Sequence, residues 1–467
     1  MWNRSLVSLL GVVLGSCWVA MPISAQTLPE LWQRVALSEP TLLAAMAQSR
    51  ATVERENQTY SQFLPQISIT ANTAQNHRKY QTTGVFPSFS DDQYNSRGAQ
   101  LNLVQPLWKQ VNHVAHQQAL EASEQARQLL LATQQELLNK LVSAWAESLY
   151  ARDALQAAHA LEAAAQQQFL NYEKGLALGL YTVDQRDETK AKRQQTIADR
   201  YAAESELFAR HTALEQLTGP LPALDSEGVS LESQKFPFGT LLPLAQYTYT
   251  LRDGNPAIKV AEQALKVAQE EVRKQQVQHG PTLDLVVGIG RNTQPAAGAT
   301  PDQPGFISRL NNVALQFNMP LYSGGLQSSK VREALELEMK TQYELDAAKR
   351  NAQSQAAQAW AQLRSAQAKL EAAEQALSAG YSSERVAMVG QKTGTKTPLD
   401  ALQAKQQIET ARRDARRAYY DNIIGMAKLL LATGEIGEGT LEDIQKRLKS
   451  PSDLGKIPAF LMTEARH

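Results

Sequence analysis

Apolar positions along the chain fall into two rhythms. A period of two runs through Ile67, Ile69 and Ala71 against Gln66, Ser68, Thr70 and Asn72. It returns in Leu283, Leu285, Val287 and Ile289 against Asp284, Gly288 and Gly290. Such alternation predicts strands with one apolar face. Partner strands read Leu101 to Val104 and Val313 to Met319, with Val313, Leu315, Phe317 and Met319 opposite Ala314, Gln316 and Asn318. The segments between partners, His77 to Arg97 and Arg291 to Leu310, are rich in Gly, Pro, Ser, Asn and Asp and read as long polar loops.

The second rhythm is helical. Pro40 to Phe63 and Pro256 to Gln278 predict helices of about six turns. Far longer helices are predicted over Lys109 to Tyr172 and Gly325 to Val389, with return arms Thr182 to Leu217 and Pro398 to Leu431. Leu131, Leu138, Val142, Trp145 and Leu149 trace a coiled-coil seam, and Ala356, Trp360, Leu363, Leu370 and Leu377 trace a second.

These elements are written twice. Gln105-Pro106-Leu107-Trp108 returns as Met319-Pro320-Leu321-Tyr322, Ala144-Trp145-Ala146 as Ala359-Trp360-Ala361, and Leu217-Thr218-Gly219 as Ala432-Thr433-Gly434. One spacing of about 215 relates all three, the mark of a duplicated half and not of a short solenoid repeat. The predicted division is a signal peptide over 1–25, a first repeat over 26–219 with strands near 66–76 and 98–105, and an equatorial linker over 220–255. A second repeat over 256–434 has strands near 282–290 and 311–319, and a C-terminal equatorial tail covers 435–467.

Composition narrows the picture. The 467 residues carry 47 basic and 47 acidic side chains, so no basic excess points to nucleic acid. Arg4, the apolar run Leu6 to Leu14 and the small residues Ser24 and Ala25 form an export signal. Cleavage after Ala25 and lipidation at Cys17, within Leu14-Gly15-Ser16-Cys17, both fit. No later segment has the apolar length of a membrane-spanning helix. His113 and His116 lack a third metal ligand nearby, Gly390 to Thr397 fails the phosphate-loop spacing, and no nucleophile–base pattern stands out. The expectation is a non-enzyme without cofactor.

Four half-greasy strands cannot close a barrel alone, and open edges are not tolerated in lipid. Two copies give eight strands, whose interior side chains fill; three give twelve and leave a lumen. Trp108 and Tyr322, just past the strand ends, suit an interfacial girdle or ordinary packing below the barrel. The rivals are a periplasmic adaptor built on one helical hairpin, which the duplicated strands disfavour, and a structural coiled-coil protein.

The run His279-Gly280-Pro281-Thr282-Leu283-Asp284-Leu285, and Phe317-Asn318-Met319-Pro320-Leu321-Tyr322-Ser323-Gly324-Gly325 with Ser329-Lys330-Val331, resemble the TolC-like efflux and secretion channels, the outer membrane factor family. The resemblance implies a mixed α+β membrane protein: a homotrimeric 12-stranded β-barrel, four strands per chain, continued by a long α-helical barrel in the periplasm and an equatorial mixed domain. It implies an exit duct in the outer membrane serving tripartite efflux or type I secretion. The implied partners are outer-membrane lipid, a periplasmic adaptor and an inner-membrane transporter of RND or ABC type. Ile67, Ile69, Leu283, Leu285, Leu315 and Phe317 are the expected lipid-facing residues.

A periplasmic gate is implied at the hairpin turns. Asp400 aligns with the first of two constricting aspartates, and Gln403 stands in place of the second. Lys396 aligns with a latch arginine, Asp187 with its acceptor, and Gln391 with a latch tyrosine. Matching Ala191-Lys192 to Ala404-Lys405 pairs Asp187 with Asp400 and makes the first turn the longer one, with Asp184 as the competing match. Plain surface charges at helix starts are the alternative for these residues.

Overall fold

The structure is a computed structural model that describes residues 27–81, 83, 85, 89–220, 241–296, 305–396 and 398–447. The signal segment and residues 221–240 of the expected equatorial linker lie outside them.

Helix α1 (Leu28–Ser38) opens on a capping box between Thr27 and Glu30. Its Leu28, Leu31, Trp32 and Val35 are buried at i, i+3, i+4 and i+7 spacing. Glu39 caps α2 (Pro40–Tyr60), which ends in a 3₁₀ turn over Ser61–Phe63. Strands β1 (Gln66–Gln81) and β2 (Phe89–Lys109) lead into α3 (Gln110–Ala177) and α4 (Val183–Thr218). The order then repeats: α5 (Leu244–Gly254), α6 (Pro256–Val277), β3 (Thr282–Gln294), β4 (Phe306–Asn318), α7 (Leu326–Lys392), α8 (Pro398–Thr433) and a last short α9 (Glu438–Arg447). At 68 residues α3 is about 100 Å long.

The helices pack side by side in the order α4-α3-α8-α7, and beyond the ends of α4 and α8 in the order α2-α3-α6-α7. Asn255 splices the two runs. Its Oδ1 accepts from the amides of Ala257 and Ile258, capping α6, while its Nδ2 donates to the carbonyl of Ala432 near the end of α8. The main core gathers Leu28, Trp32 and Val35 of α1, Leu138, Val142 and Trp145 of α3, Tyr420 and Ile423 of α8, and Leu441 and Ile444 of α9. The expected seam is buried at Leu138, Val142, Trp145 and Leu149, but Leu131 is exposed in the protomer. Beside this core, Asp153 is buried yet fully engaged. It accepts 3.0 Å from the Tyr420 hydroxyl and pairs with Arg152 and Arg416.

The four strands form one antiparallel sheet in the order β1-β2-β3-β4. They run farther than their alternation predicts. The expected loop His77 to Arg97 is paired from Arg97↔Thr73 out to Phe89↔Gln81, and the second pair continues to Gln294↔Phe306. Both faces of the distal ribbon are polar, so period two leaves no hydrophobic trace there. Thr73 donates 2.9 Å to Asn95, Asn76 donates 2.8 Å to Ser96, and Lys79 pairs with Asp91 at 3.1 Å across the ribbon. Trp108 lies inside β2, at a register shift after Pro106, and not past the strand end.

Candidate functional site: the sheet face and the hairpin tips

Directly opposed residues of an antiparallel sheet share a face. The register therefore decides which side chains stand together. Ile67↔Leu103, Ile69↔Leu101, Leu101↔Ile289, Leu103↔Val287, Leu285↔Leu315 and Leu283↔Phe317 bring every strand residue expected to meet lipid onto one face. Val313, Leu315 and Phe317 are 74%, 67% and 66% exposed, an apolar surface with nothing packed on it in the protomer. Ser68, Thr70, Gln100, Asn102, Asp284, Asn312 and Gln316 occupy the other face. Among the described residues the sheet ends at both flanks in an unpaired edge, β1 on one side and β4 on the other.

At the far end of the long helices lie two turns with one backbone. Helices α3 and α7 end at 177 and 392, and their return arms run from 183 and 398 to 218 and 433, always 215 positions apart. Each turn makes the same hydrogen bonds: Leu180 N to Gly175 O at 2.8 Å, and Thr395 N to Gly390 O at 2.9 Å. In each, the fourth residue after that first glycine is a second glycine in the left-handed region, Gly179 at φ +73° and Gly394 at φ +76°, which ends the helix without a Cβ clash. The first glycine lets a later side chain fold over it. A Cβ on Gly175 would meet the Tyr181 ring at 2.3 Å, and one on Gly390 would meet the Lys396 stem at 2.6 Å.

This congruence corrects the expected pairing. The first turn is not longer, and the counterpart of Asp400 is Gln185, neither Asp187 nor Asp184. Ala404 answers to the equally buried Thr189, so the match of Ala191-Lys192 with Ala404-Lys405 is a two-residue slip. Gln185 completes a capping box with Thr182. Asp187 is held by its neighbour Arg186, whose Nε donates 2.9 Å to it. Among the described residues no ion pair joins Lys396 to Asp187. Asp184, Gln391, Lys396 and Gln403 are exposed, and Asp400 is half-buried.

The structure adds residues that the sequence reading missed. Tyr172 stacks on Tyr181 with ring centroids 4.2 Å apart. Burial first, then the negative charges of Glu188 and Asp400 and the nearby Tyr181, hold its phenol above the usual tyrosine range. Asp400 of α8 is thus close enough to α3 for its charge to act on Tyr172. Just above, Gln168, Glu188, Thr189, Lys192, Gln403 and Gln406 line a cleft of about 430 Å³ between α3, α4 and α8. The matching spacings Gly175 to Tyr181 and Gly390 to Lys396 are the sequence signal that could have exposed the true register. His113 and His116 pack on the end of α2, His113 4.7 Å from the Phe63 ring and His116 Nδ1 3.1 Å from Thr59 Oγ1.

A sheet with one bare apolar face, carried at one end of very long helices, defines the class of a β-type membrane channel with a long helical extension. Among the described residues no helix is long and apolar enough to cross a membrane. The family model described as outer membrane efflux protein matches residues 31–220 and 248–435, one match in each half of the chain. The chain belongs to that family. It is 26% identical over 448 residues to the outer membrane protein TolC of Vibrio cholerae, covering 94% of this chain and 96% of the relative. It is also 26% identical over 441 residues to the proteases secretion protein PrtF of Dickeya chrysanthemi, covering 92% and 93%. The CmeC outer membrane channel of Campylobacter jejuni superimposes with a TM-score of 0.71 at 14% identity, over 95% of this chain and 97% of CmeC. The protein is an outer-membrane exit duct for efflux or secretion, with its helices in the periplasm.

Proposed function

We propose that three copies of this chain close one twelve-stranded barrel, the apolar face turned to lipid and the polar face to a water-filled lumen. The observation that carries this reading is the pair of open edges, β1 and β4. Unpaired backbone in lipid costs several kcal/mol per group, so each edge needs a strand, and β4 of one copy beside β1 of the next supplies it. Three copies are the smallest ring whose interior stays open. The hairpins then line a periplasmic tube whose tips meet an adaptor and an inner-membrane transporter of RND or ABC type. At those tips Asp400, with Gln403 behind it, narrows the passage. Lys396 and Gln391 form the neighbouring contacts, and Asp184 and Asp187 are the charges of the first turn.

Crosslinking of the detergent-solubilised protein tests the ring. A ladder that stops at three chains is expected, together with unit conductance in planar bilayers. Conducting protein that crosslinks to no more than one chain would sink the proposal.

A further inference from the structure

Three arginines interrupt the apolar face near its distal end, with Ile307 of β4 just beyond them. Ile289 is the last apolar side chain of β3 on that face, and Arg291 follows two residues on, directly opposite Arg309 of β4. Arg97 of β2, opposite Thr293, is the diagonal neighbour of Arg291. All three are exposed, and among the described residues none has a carboxylate partner. Two like charges placed directly across a ladder destabilise it unless something between them carries the opposite charge.

The sheet itself cannot supply that charge. Among the described residues of this face Asp91 is the one carboxylate, and His77 and Lys79 already hold it. Among the described residues of the facing edge, a neighbouring copy offers none either. The same face of β1, the strand that would lie beside β4, presents Ala71, Thr73, Gln75 and His77, and its charge there is the further cation Lys79.

The height of the cluster indicates what sits there. From Met319 to Arg309 the chain rises about 34 Å along the strand. At a barrel tilt of about 40° that becomes about 26 Å, close to the thickness of the apolar band of such barrels. The arginines therefore stand at the level of the lipid headgroups on the side away from the helices.

We propose that Arg97, Arg291 and Arg309 form a binding site for the phosphate-bearing headgroup of a lipid in the distal leaflet of the outer membrane. Guanidinium groups take phosphate oxygens in bidentate fashion, and one phosphate between Arg291 and Arg309 removes their mutual repulsion. The site rests on the reading of this face as lipid-facing.

The test uses the full-length assembly in nanodiscs, with diphosphorylated lipid A as the probe and native mass spectrometry as the readout. The triple variant Arg97→Gln, Arg291→Gln, Arg309→Gln should retain the probe at least about tenfold less well than the parent. The triple Arg→Lys variant should recover most of that loss, and Arg78→Gln, on the opposite face, should be without effect. Lipid A stripped of both phosphates should bind parent and triple Gln variant alike. Equal retention of the phosphorylated probe by the parent and the triple Gln variant would overturn the site, as would pyrophosphate binding as tightly as the lipid. A fluorophore on Leu315→Cys reports the underlying reading separately. Quenching by brominated lipid keeps the face in lipid whatever the arginines do, and an unquenched label removes the lipid-facing reading and the site with it.

Discussion

A Cβ placed on Gly434 would fall 2.0 Å from the carbonyl oxygen of Gly254, so the ends of α8 and α5 touch through bare backbone. Gly434 also sits at φ +77°, a conformation that costs any L side chain about 1–2 kcal/mol. Gly434→Ala should therefore destabilise the protein by about 3 kcal/mol or more, through strain and overlap together. Gly394 has nearly the same backbone, with nothing within 4 Å of its built Cβ. Gly394→Ala should cost only the conformational part, about 1–2 kcal/mol. Paired thermal melts of the two variants check the difference.

The Tyr420 hydroxyl gives a second prediction. It donates to the buried carboxylate of Asp153, and Tyr420→Phe should cost about 1.5–3 kcal/mol, the range for a hydrogen bond to a charged group. Burial, then the charge of Asp153, pushes the Tyr420 phenol well above 10. The folded state thus keeps this proton where the unfolded chain loses it. The contribution is complete below the ordinary tyrosine pKa and falls away as pH rises beyond it, so stability should decline above about pH 10. Melting the parent and Tyr420→Phe across that range should show the shallower decline in the variant.

On the sheet, Leu285→Arg or Leu315→Arg should impair assembly, because a charge near the lipid midplane costs about 2–4 kcal/mol. Gln316→Arg, on the opposite face, should be mild. Heat-modifiable migration of the assembled species distinguishes them. Equal assembly of all three would mean that the faces are assigned the wrong way round.

At the tips, three copies of Asp400 around one constriction would repel one another, and a polyvalent cation would relieve that repulsion. Such cations on the periplasmic side should block conductance. Asp400→Ala should weaken the block several-fold with assembly intact, and Gln403→Asp should strengthen it. Lys396→Ala should instead raise resting conductance. Single-channel recording reads all three effects, and an unchanged block in Asp400→Ala together with unchanged resting conductance in Lys396→Ala would reduce these residues to surface charges.

Much of the fold was legible because its elements bury or bare an apolar stripe. Ile67, Leu285 and Phe317 announce a face, and the long helices announce a seam. The distal ribbon from His77 to Gln93 was not legible, since its pairing runs through Asn, Ser and charged side chains that read as loop. The tip misled for a different reason. An Ala-Lys pair recurs by chance two residues out of register, while the features that fix the turn, Gly175 under Tyr181 and Gly390 under Lys396, differ in the side chain and agree only in spacing. Asp400 was found as a residue, but the Tyr172 whose phenol its charge raises comes from the other hairpin, and proximity between hairpins leaves no local trace.

The equal turns have a consequence for the shape of the electric field at the mouth. Both hairpins hold their tips on one backbone, yet where one presents Tyr181 and Gln185 the other presents Lys396 and Asp400. Around a ring of three chains the outline would repeat every 60°, but the charge would repeat only every 120°. A cargo or partner pressed against that rim would feel a hexagonal socket that is keyed electrically to three orientations, so a threefold partner would seat in one set of positions and be refused in the other.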